Sequence, residues 1–212
     1  MHDFDKFLLI PQYSELSSRN DINTKTLITK NLTLKHPIIS SPMNTVTELK
    51  MAIAMAKTGS VGIIHRYMTI EEQVEQITAL SKYLPCGASI GVNGDNYKRA
   101  LALIDAGVDV LTFDVAHGDM KACHDFVKTI KKDYDYIKII SGNIVTTEAA
   151  RRYYDAGIDG FRVGIGIGSG CITRTVCGVG YNQLLAIKEI KERFPDIPII
   201  SDGGIRNSLS KR

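Results

Sequence analysis

One alternation constrains this chain more than any other feature. A short Val/Ile-rich run, a turn and a stretch with helical spacing follow one another along most of its 212 residues. Runs of this kind at 37–42, 61–65, 88–92, 110–116, 138–144, 160–165 and 198–203 read as strands. Most lack polar alternation, as expected of parallel strands buried on both faces. Helical patterns at 47–57, 70–83, 97–106, 120–132, 147–156 and 181–193 fill the intervals. Thr69 stands before Ile70-Glu71-Glu72 as an N-cap with acidic residues in the first turn, and Gly107 and Gly157 stand where helices should stop. The first five strand-to-strand intervals average about 25 residues, the length of one βα unit.

"AGVDVLTFDVA" and "AGIDGFRVGI" are two versions of one helix-end, turn and strand. Such recurrence leaves a (β/α)8 barrel or an open doubly wound sheet. The barrel is favoured because polar residues close several strands: Ser41 and Met43, His65, Asp114 and His117, Asn143, Gly166 onward, and Asp202. A barrel gathers those ends at one mouth, whereas an open sheet spreads most of them along an edge. Seven strands and six helices are present, so residues 1–212 read as a single, incomplete TIM-barrel domain.

Composition narrows the class further. Apolar residues make up 44% and charged residues 23%, an ordinary globular balance. The longest apolar run, 51–56, is far below the roughly 20 residues that span a bilayer. The first residues lack a secretory signal, and the net charge of +3 is scattered, so neither a membrane nor a nucleic-acid partner is expected. Four cysteines without a CxxC pair suit reduced thiols in a cytoplasmic protein.

The densest chemical signal is the segment Val163-Gly-Ile-Gly-Ile-Gly-Ser-Gly-Cys-Ile-Thr-Arg174. Its glycines permit close backbone approach to a ligand, and such loops turn amides toward phosphate or carbonyls toward a cation. Neither the GxGxxG fingerprint nor a GK[ST] phosphate loop is matched. Cys171, beside Thr173 and Arg174, reads as a nucleophile favoured by nearby positive charge, or else as a small filler under a turn. Cys86, Cys123 and Cys177 read as structural. Asp114 suits a sugar hydroxyl or a loop cap, His117 a proton shuttle or a backbone bond. Asp202-Gly203-Gly204 suits half of a phosphate site or a plain turn. His117, Cys123 and His124 match no zinc spacing and read as surface and loop residues.

Taken together, "FDKFLLIPQYSEL", "PIISSPMNTVTELKMAIAMAKTGSVGIIHRYMTIEEQ", "AGVDVLTFDVAHG", "ISGNIVT", "VGIGIGSGCITR…GVGYNQLLAI" and "IISDGGI" resemble the IMP dehydrogenase / GMP reductase family along essentially the whole chain. The resemblance implies a (β/α)8 barrel and a nucleophilic Cys171 that bonds purine C2. Thr173 would position or activate the attacking water or leaving ammonia. Ser169 and Gly204, with Gly203 between Gly204 and Asp202, would bind the nucleotide phosphate. Asp202 would hold its ribose, and Ser41 and Met43 would line its pocket. Asp114, with Val115 and Ala116, would face the nicotinamide ribose of NAD or NADP, with Asn143 beside it. Carbonyls of Gly166, Gly168 and Cys171 would take potassium. A purine mononucleotide substrate and a homotetramer are implied as well. The motifs lean to the dehydrogenase, oxidising IMP to XMP with NAD. "DVAHG" and "GVGY" followed by Gln183 look like the reductase, and a noncatalytic remnant is a third possibility. Asn44 replaces the family's "MDTV" aspartate, and no CBS pair follows "HRYMTIEEQ".

Overall fold

The computed structural model describes residue 4 and residues 7–83, 85–168 and 171–205. Seven strands form one parallel sheet in chain order: β3 (Ile39–Ser40), β4 (Val61–Ile64), β5 (Gly87–Ile90), β6 (Val110–Phe113), β7 (Lys138–Ile144), β8 (Gly160–Val163) and β9 (Ile199–Ser201). All seven fall within or overlap the expected runs. Most end one to three residues early, so that Ser41, His65, Asp114 and Asp202 lie just past the last paired residue. Helices α1 (Leu49–Thr58), α2 (Ile70–Leu80), α3 (Asn96–Asp105), α4 (Lys121–Asp133), α5 (Thr147–Asp155) and α7 (Gln183–Arg193) occupy the expected intervals. This is the arc of a TIM barrel.

Two elements differ from the expectation. A hairpin of β1 (Thr26–Thr29) and β2 (Leu32–Leu34) precedes the arc, turning at Lys30-Asn31. Its alternating "TLIT" and "LTL" carry a strand signal that lies ahead of the βα repeat. A short helix, α6 (Thr173–Cys177), lies inside the glycine-rich segment and ends at Gly178, where φ is 64°.

Alternate strand residues feed two separate interiors. Outward-pointing Ile64, Ala88, Ile90, Leu111, Phe113, Ile139, Phe161 and Val163 pack under the helices, against Ile77, Leu103, Val127, Tyr153 and Ile190. Inward-pointing Val61, Ile63, Val110 and Ile140 meet Ile28 and Leu34 of the hairpin. The hairpin thereby plugs the strand N-terminal end: Lys30 N–H donates to the Asp159 carbonyl at 3.1 Å, and a Cβ on Gly160 would lie 2.6 Å from the Ile28 carbonyl oxygen. Strands β3 and β9 are the two edges of the sheet. Between them runs a cleft of about 530 Å³, lined by Thr26–Ile28, Ile38, Ile39, Ile199 and Ile200 at its apolar end and by Ser41, Arg162, Asp202 and Gly203 at the other.

The repeated AG(V/I)D motif has one structural meaning. Gly107 and Gly157 take φ of 91° and 88° and stop α3 and α5. Two residues on, the carboxylates of Asp109 and Asp159 accept backbone N–H groups of Cys86 and Ile139, each at 2.8 Å, and so tie one strand start to the strand before it. Asp159 also pairs with Lys131 at 2.5 Å, both side chains being largely buried. At α2, Thr69 and Glu72 complete a reciprocal cap, with bonds of 3.1 and 2.8 Å.

Replacing Asp159 with Ala removes a charge-assisted bond and leaves Lys131 without its carboxylate. Urea unfolding should show a loss of about 2 kcal/mol. Asp105→Ala, at an exposed position on α3, should stay within about 0.5 kcal/mol.

Candidate active site

The alternation that separates the two interiors also sets which side chains face inward at the strand C-terminal ends. Along β6 and beyond, Val110, Thr112 and Asp114 share the inner side. Arg162 does so on β8, in register with Ile200, and Asp202 follows two residues later. Arg162 is the hub of this mouth. Its Nε donates to Asp202 Oδ1 at 2.8 Å, and its Nη2 lies 2.7 Å from the same oxygen as an ion pair. Its Nη1 stands 3.6 Å from Asp114 Oδ1 and is buried without a hydrogen bond. Asn143, 8% exposed, donates from Nδ2 both to the other oxygen of Asp202 and to the Gly164 carbonyl, the latter at 2.6 Å.

Asp114 has further neighbours on its outer side. Arg66 Nε lies 3.6 Å from Oδ2 and donates to the Asp114 carbonyl at 3.2 Å, while the Tyr67 hydroxyl donates to Oδ2 at 3.4 Å. The Asp114 charge, with partial burial, pushes the Tyr67 phenol above its ordinary value. Val115, Ala116 and exposed His117 follow in a loop anchored at its far end. There Gly118 N–H donates to the Asn143 carbonyl at 2.9 Å, and Tyr153 donates to the Gly118 carbonyl. The Arg152 guanidinium and His124 hold the next residue, Asp119, at a pKa of about 2.

The glycine-rich segment lies against the Asp202 turn. Gly203 and Gly204 take φ of 68° and 69°. A Cβ on Gly203 would lie 3.3 Å from the Gly168 Cα, and one on Gly204 would lie 2.6 Å from Ile167. Between the strand ends, buried Gln183 at the start of α7 donates to Ser201 Oγ at 2.9 Å and the Asp202 carbonyl at 3.1 Å. Cys171 is exposed, its N–H bonded to the Gly168 carbonyl at 3.0 Å and its thiol to the Thr173 hydroxyl at 3.2 Å. Ser169 lies outside the described residues.

Several expectations need correction. The Arg174 guanidinium reaches backbone carbonyls on either side of the segment. Its Nε and Nη2 donate to the carbonyls of Ile165 and Tyr181, each at 3.0 Å, and its stem packs on Gly166 and Gly180. It therefore braces the loop. Cys177 is exposed at the end of α6 rather than packed inside. Cys123 and His124 are buried on α4, not at the surface. Cys86 is buried as expected, and burial pushes its thiol up to about 12. Met43 is half-exposed in the loop after β3, and Ser41 lines the cleft. Arg162, Arg66 and Tyr67 were not among the expected site residues. An arginine inside an otherwise apolar parallel strand was the available signal.

The glycine-rich segment that leads to Cys171 packs on the Asp202 turn, and Arg162 links that turn to Asp114. Gly142 marks how closely this mouth is packed. A Cβ there would lie 2.2 Å from the Arg162 carbonyl oxygen and 2.8 Å from its Cβ. Gly142→Ala should force β7 from β8, lower the unfolding free energy by about 3 kcal/mol or more in a thermal melt, and weaken ligand binding at Asp202.

Comparison with known proteins agrees with this geometry. A sequence model of the IMP dehydrogenase / GMP reductase domain matches residues 1–210. Inosine-5'-monophosphate dehydrogenase of Cryptosporidium parvum is 38% identical over 97% of this chain and 62% of its own length. GMP reductase of Leishmania donovani is 29% identical over 97% of this chain and 70% of its own length. The crystal structure of GMP reductase C318A from Trypanosoma brucei superposes with a TM-score of 0.94 at 26% identity, covering 99% of this chain and 78% of that one. The chain thus spans less than two thirds of the Cryptosporidium relative. With the family model matching residues 1–210 and the parallel arc superposing on a solved member, this chain belongs to the IMP dehydrogenase / GMP reductase family.

Proposed function

We propose that this chain carries the catalytic mouth of a purine nucleotide oxidoreductase that works through a covalent bond between Cys171 and purine C2. The observation that carries the reading is the packing of the Asp202-Gly203-Gly204 turn on Gly168, three residues before an exposed cysteine. A nucleotide whose ribose is held by Asp202 and whose phosphate is held by the glycine turn has its base near that loop. Ser41 faces the same cleft.

The Cys171 thiolate adds to the electron-poor C2 of IMP, forming the S–C2 bond. Collapse of the tetrahedral adduct expels the C2 hydrogen with its electron pair and leaves a thioimidate. Water then attacks C2 and gives up a proton to solvent, the S–C2 bond breaks, and XMP departs with the thiolate restored. Thr173, within hydrogen-bond reach of the sulfur, positions that water. A bound nicotinamide dinucleotide supplies the hydride acceptor. The residues at its expected place fit it: Asp114 stands 3.6 Å from both arginines, too far for strong hydrogen bonds, and so keeps acceptor capacity for ribose hydroxyls. Val115, Ala116 and Asn143 border that position. The dehydrogenase direction with NAD is our reading, supported by the higher identity to the Cryptosporidium dehydrogenase. The "GVGY" segment and the Trypanosoma reductase structure favour a second reading, reduction of GMP to IMP and ammonia with NADPH.

Purified protein given IMP and NAD should form XMP and NADH at equal rates. Conversion of GMP with NADPH, and none with IMP and NAD, would reverse the direction, and absence of both would overturn the reading. Cys171→Ala should lower turnover more than about 1000-fold while nucleotide binding persists.

The neutral carbonyls of Gly166, Gly168 and Cys171 fit a potassium ion. Gly166 takes φ of 66°, and the Gly168 carbonyl accepts one bond from Cys171 N–H, leaving a second lone pair. An ion there would order the segment that bears the nucleophile. Exchanging potassium for lithium should therefore lower turnover strongly and change nucleotide affinity much less. Turnover indifferent to the cation would make the segment a rigid turn.

A further inference from the structure

We infer that Arg162 is a positioning residue that couples nucleotide binding at Asp202 to dinucleotide binding at Asp114. The inference rests on the function proposed above and concerns how its two ligand sites communicate. A carboxylate offers about four acceptor positions. On Asp202, Oδ1 accepts from Nε of Arg162 and is faced by Nη2 of the same guanidinium 2.7 Å away, while Oδ2 accepts from Asn143, so three of the four positions are occupied. A ribose presents two neighbouring hydroxyls and needs two acceptor positions. Binding it therefore displaces one existing donor. Asn143 is the harder to move, because the same amide nitrogen also holds the Gly164 carbonyl at 2.6 Å and the residue is buried. The guanidinium, doubled on a single oxygen, gives way instead.

Where it goes is set by what lies opposite. Nη1 is buried, without a hydrogen bond, and 3.6 Å from Asp114 Oδ1. A small rotation about the side chain brings Nη1 within hydrogen-bond distance of Asp114 and satisfies that orphaned donor. Asp114 is then held on Oδ1 by Arg162 and on Oδ2 by the Tyr67 hydroxyl, with Arg66 at a longer 3.6 Å, so its plane is fixed while two acceptor positions stay open for the dinucleotide ribose. Fixing a carboxylate in its binding orientation lowers the cost of the second event, so the coupling is positive and, by linkage, reciprocal.

Base and nicotinamide rings stacked on each other would also couple the two ligands, so the test uses probes that lack both rings. Ribose 5-phosphate serves the Asp202 side and ADP-ribose the Asp114 side, each titrated alone and in the presence of the other by calorimetry. In the wild-type protein, saturating ribose 5-phosphate should tighten ADP-ribose binding about fivefold or more, and the reverse titration should give the same factor. Arg162→Lys keeps the charge beside Asp202 but cannot reach both carboxylates. It should bring the factor to about one while shifting each separate affinity far less. Asp114→Asn leaves the Arg162–Asp202 grip intact and gives an independent cut, again with a factor near one and unchanged ribose 5-phosphate affinity. Both probes binding with a wild-type factor of one, or a factor that survives either substitution, overturns the coupling and leaves the functional reading standing. Failure of IMP, NAD and both probes to bind overturns the reading and the coupling together.

Discussion

A parallel strand buried on both sides sends alternate side chains into two different interiors, and the rest of this molecule follows from that constraint. The outward set meets the helices in a large apolar layer, and the inward set meets the hairpin plug. The inward line is apolar at the strand starts, with Val110 and Ile140. It turns polar at the strand ends, with Arg162, Asp114 and Asp202. The change of character along one line of side chains separates the part that stabilises the arc from the part that binds. A one-residue slip in β8 would send Arg162 under the helices and Phe161 into the mouth, reversing both roles.

Electrostatics at the mouth are arranged in pairs. Asp114 and Asp202 would repel one another across the inner space, and Arg162 stands between them as their common counter-charge. Arg66 and Tyr67 face Asp114 from the outer side, and Asn143 faces Asp202 from β7. Backbone anchors hold the frame. Gly118 is bonded to Asn143 and Tyr153, Gln183 reaches Ser201 and the Asp202 carbonyl, and Arg174 is fastened to Ile165 and Tyr181. The prospective nucleophile is thus the exposed part of a site whose support is largely buried.

Much of this was legible in the chain, for reasons that differ from residue to residue. Strand and helix positions were readable because the βα period and the glycines at 107 and 157 are local signals. The roles of Asp109 and Asp159 are prefigured by the repeat, although the backbone groups they accept lie 23 and 20 residues back and have no sequence mark. The hairpin was missed because it stands outside the repeat. Arg162 was missed because its meaning lies in two carboxylates 48 and 40 residues away, one on each side in the sheet. The bracing role of Arg174 was missed for the opposite reason. Proximity in sequence to Cys171 suggested a charge partner and left unmarked the carbonyls of Ile165 and Tyr181 that accept from it.

The measurement that bears most directly on this account is mass spectrometry of acid-quenched protein after incubation with IMP and NAD. The account predicts a nucleotide adduct on the peptide containing Cys171, its level rising to a steady state and falling as IMP is consumed. No adduct on any cysteine, or an adduct on exposed Cys177 with Cys171 unmodified, would contradict it.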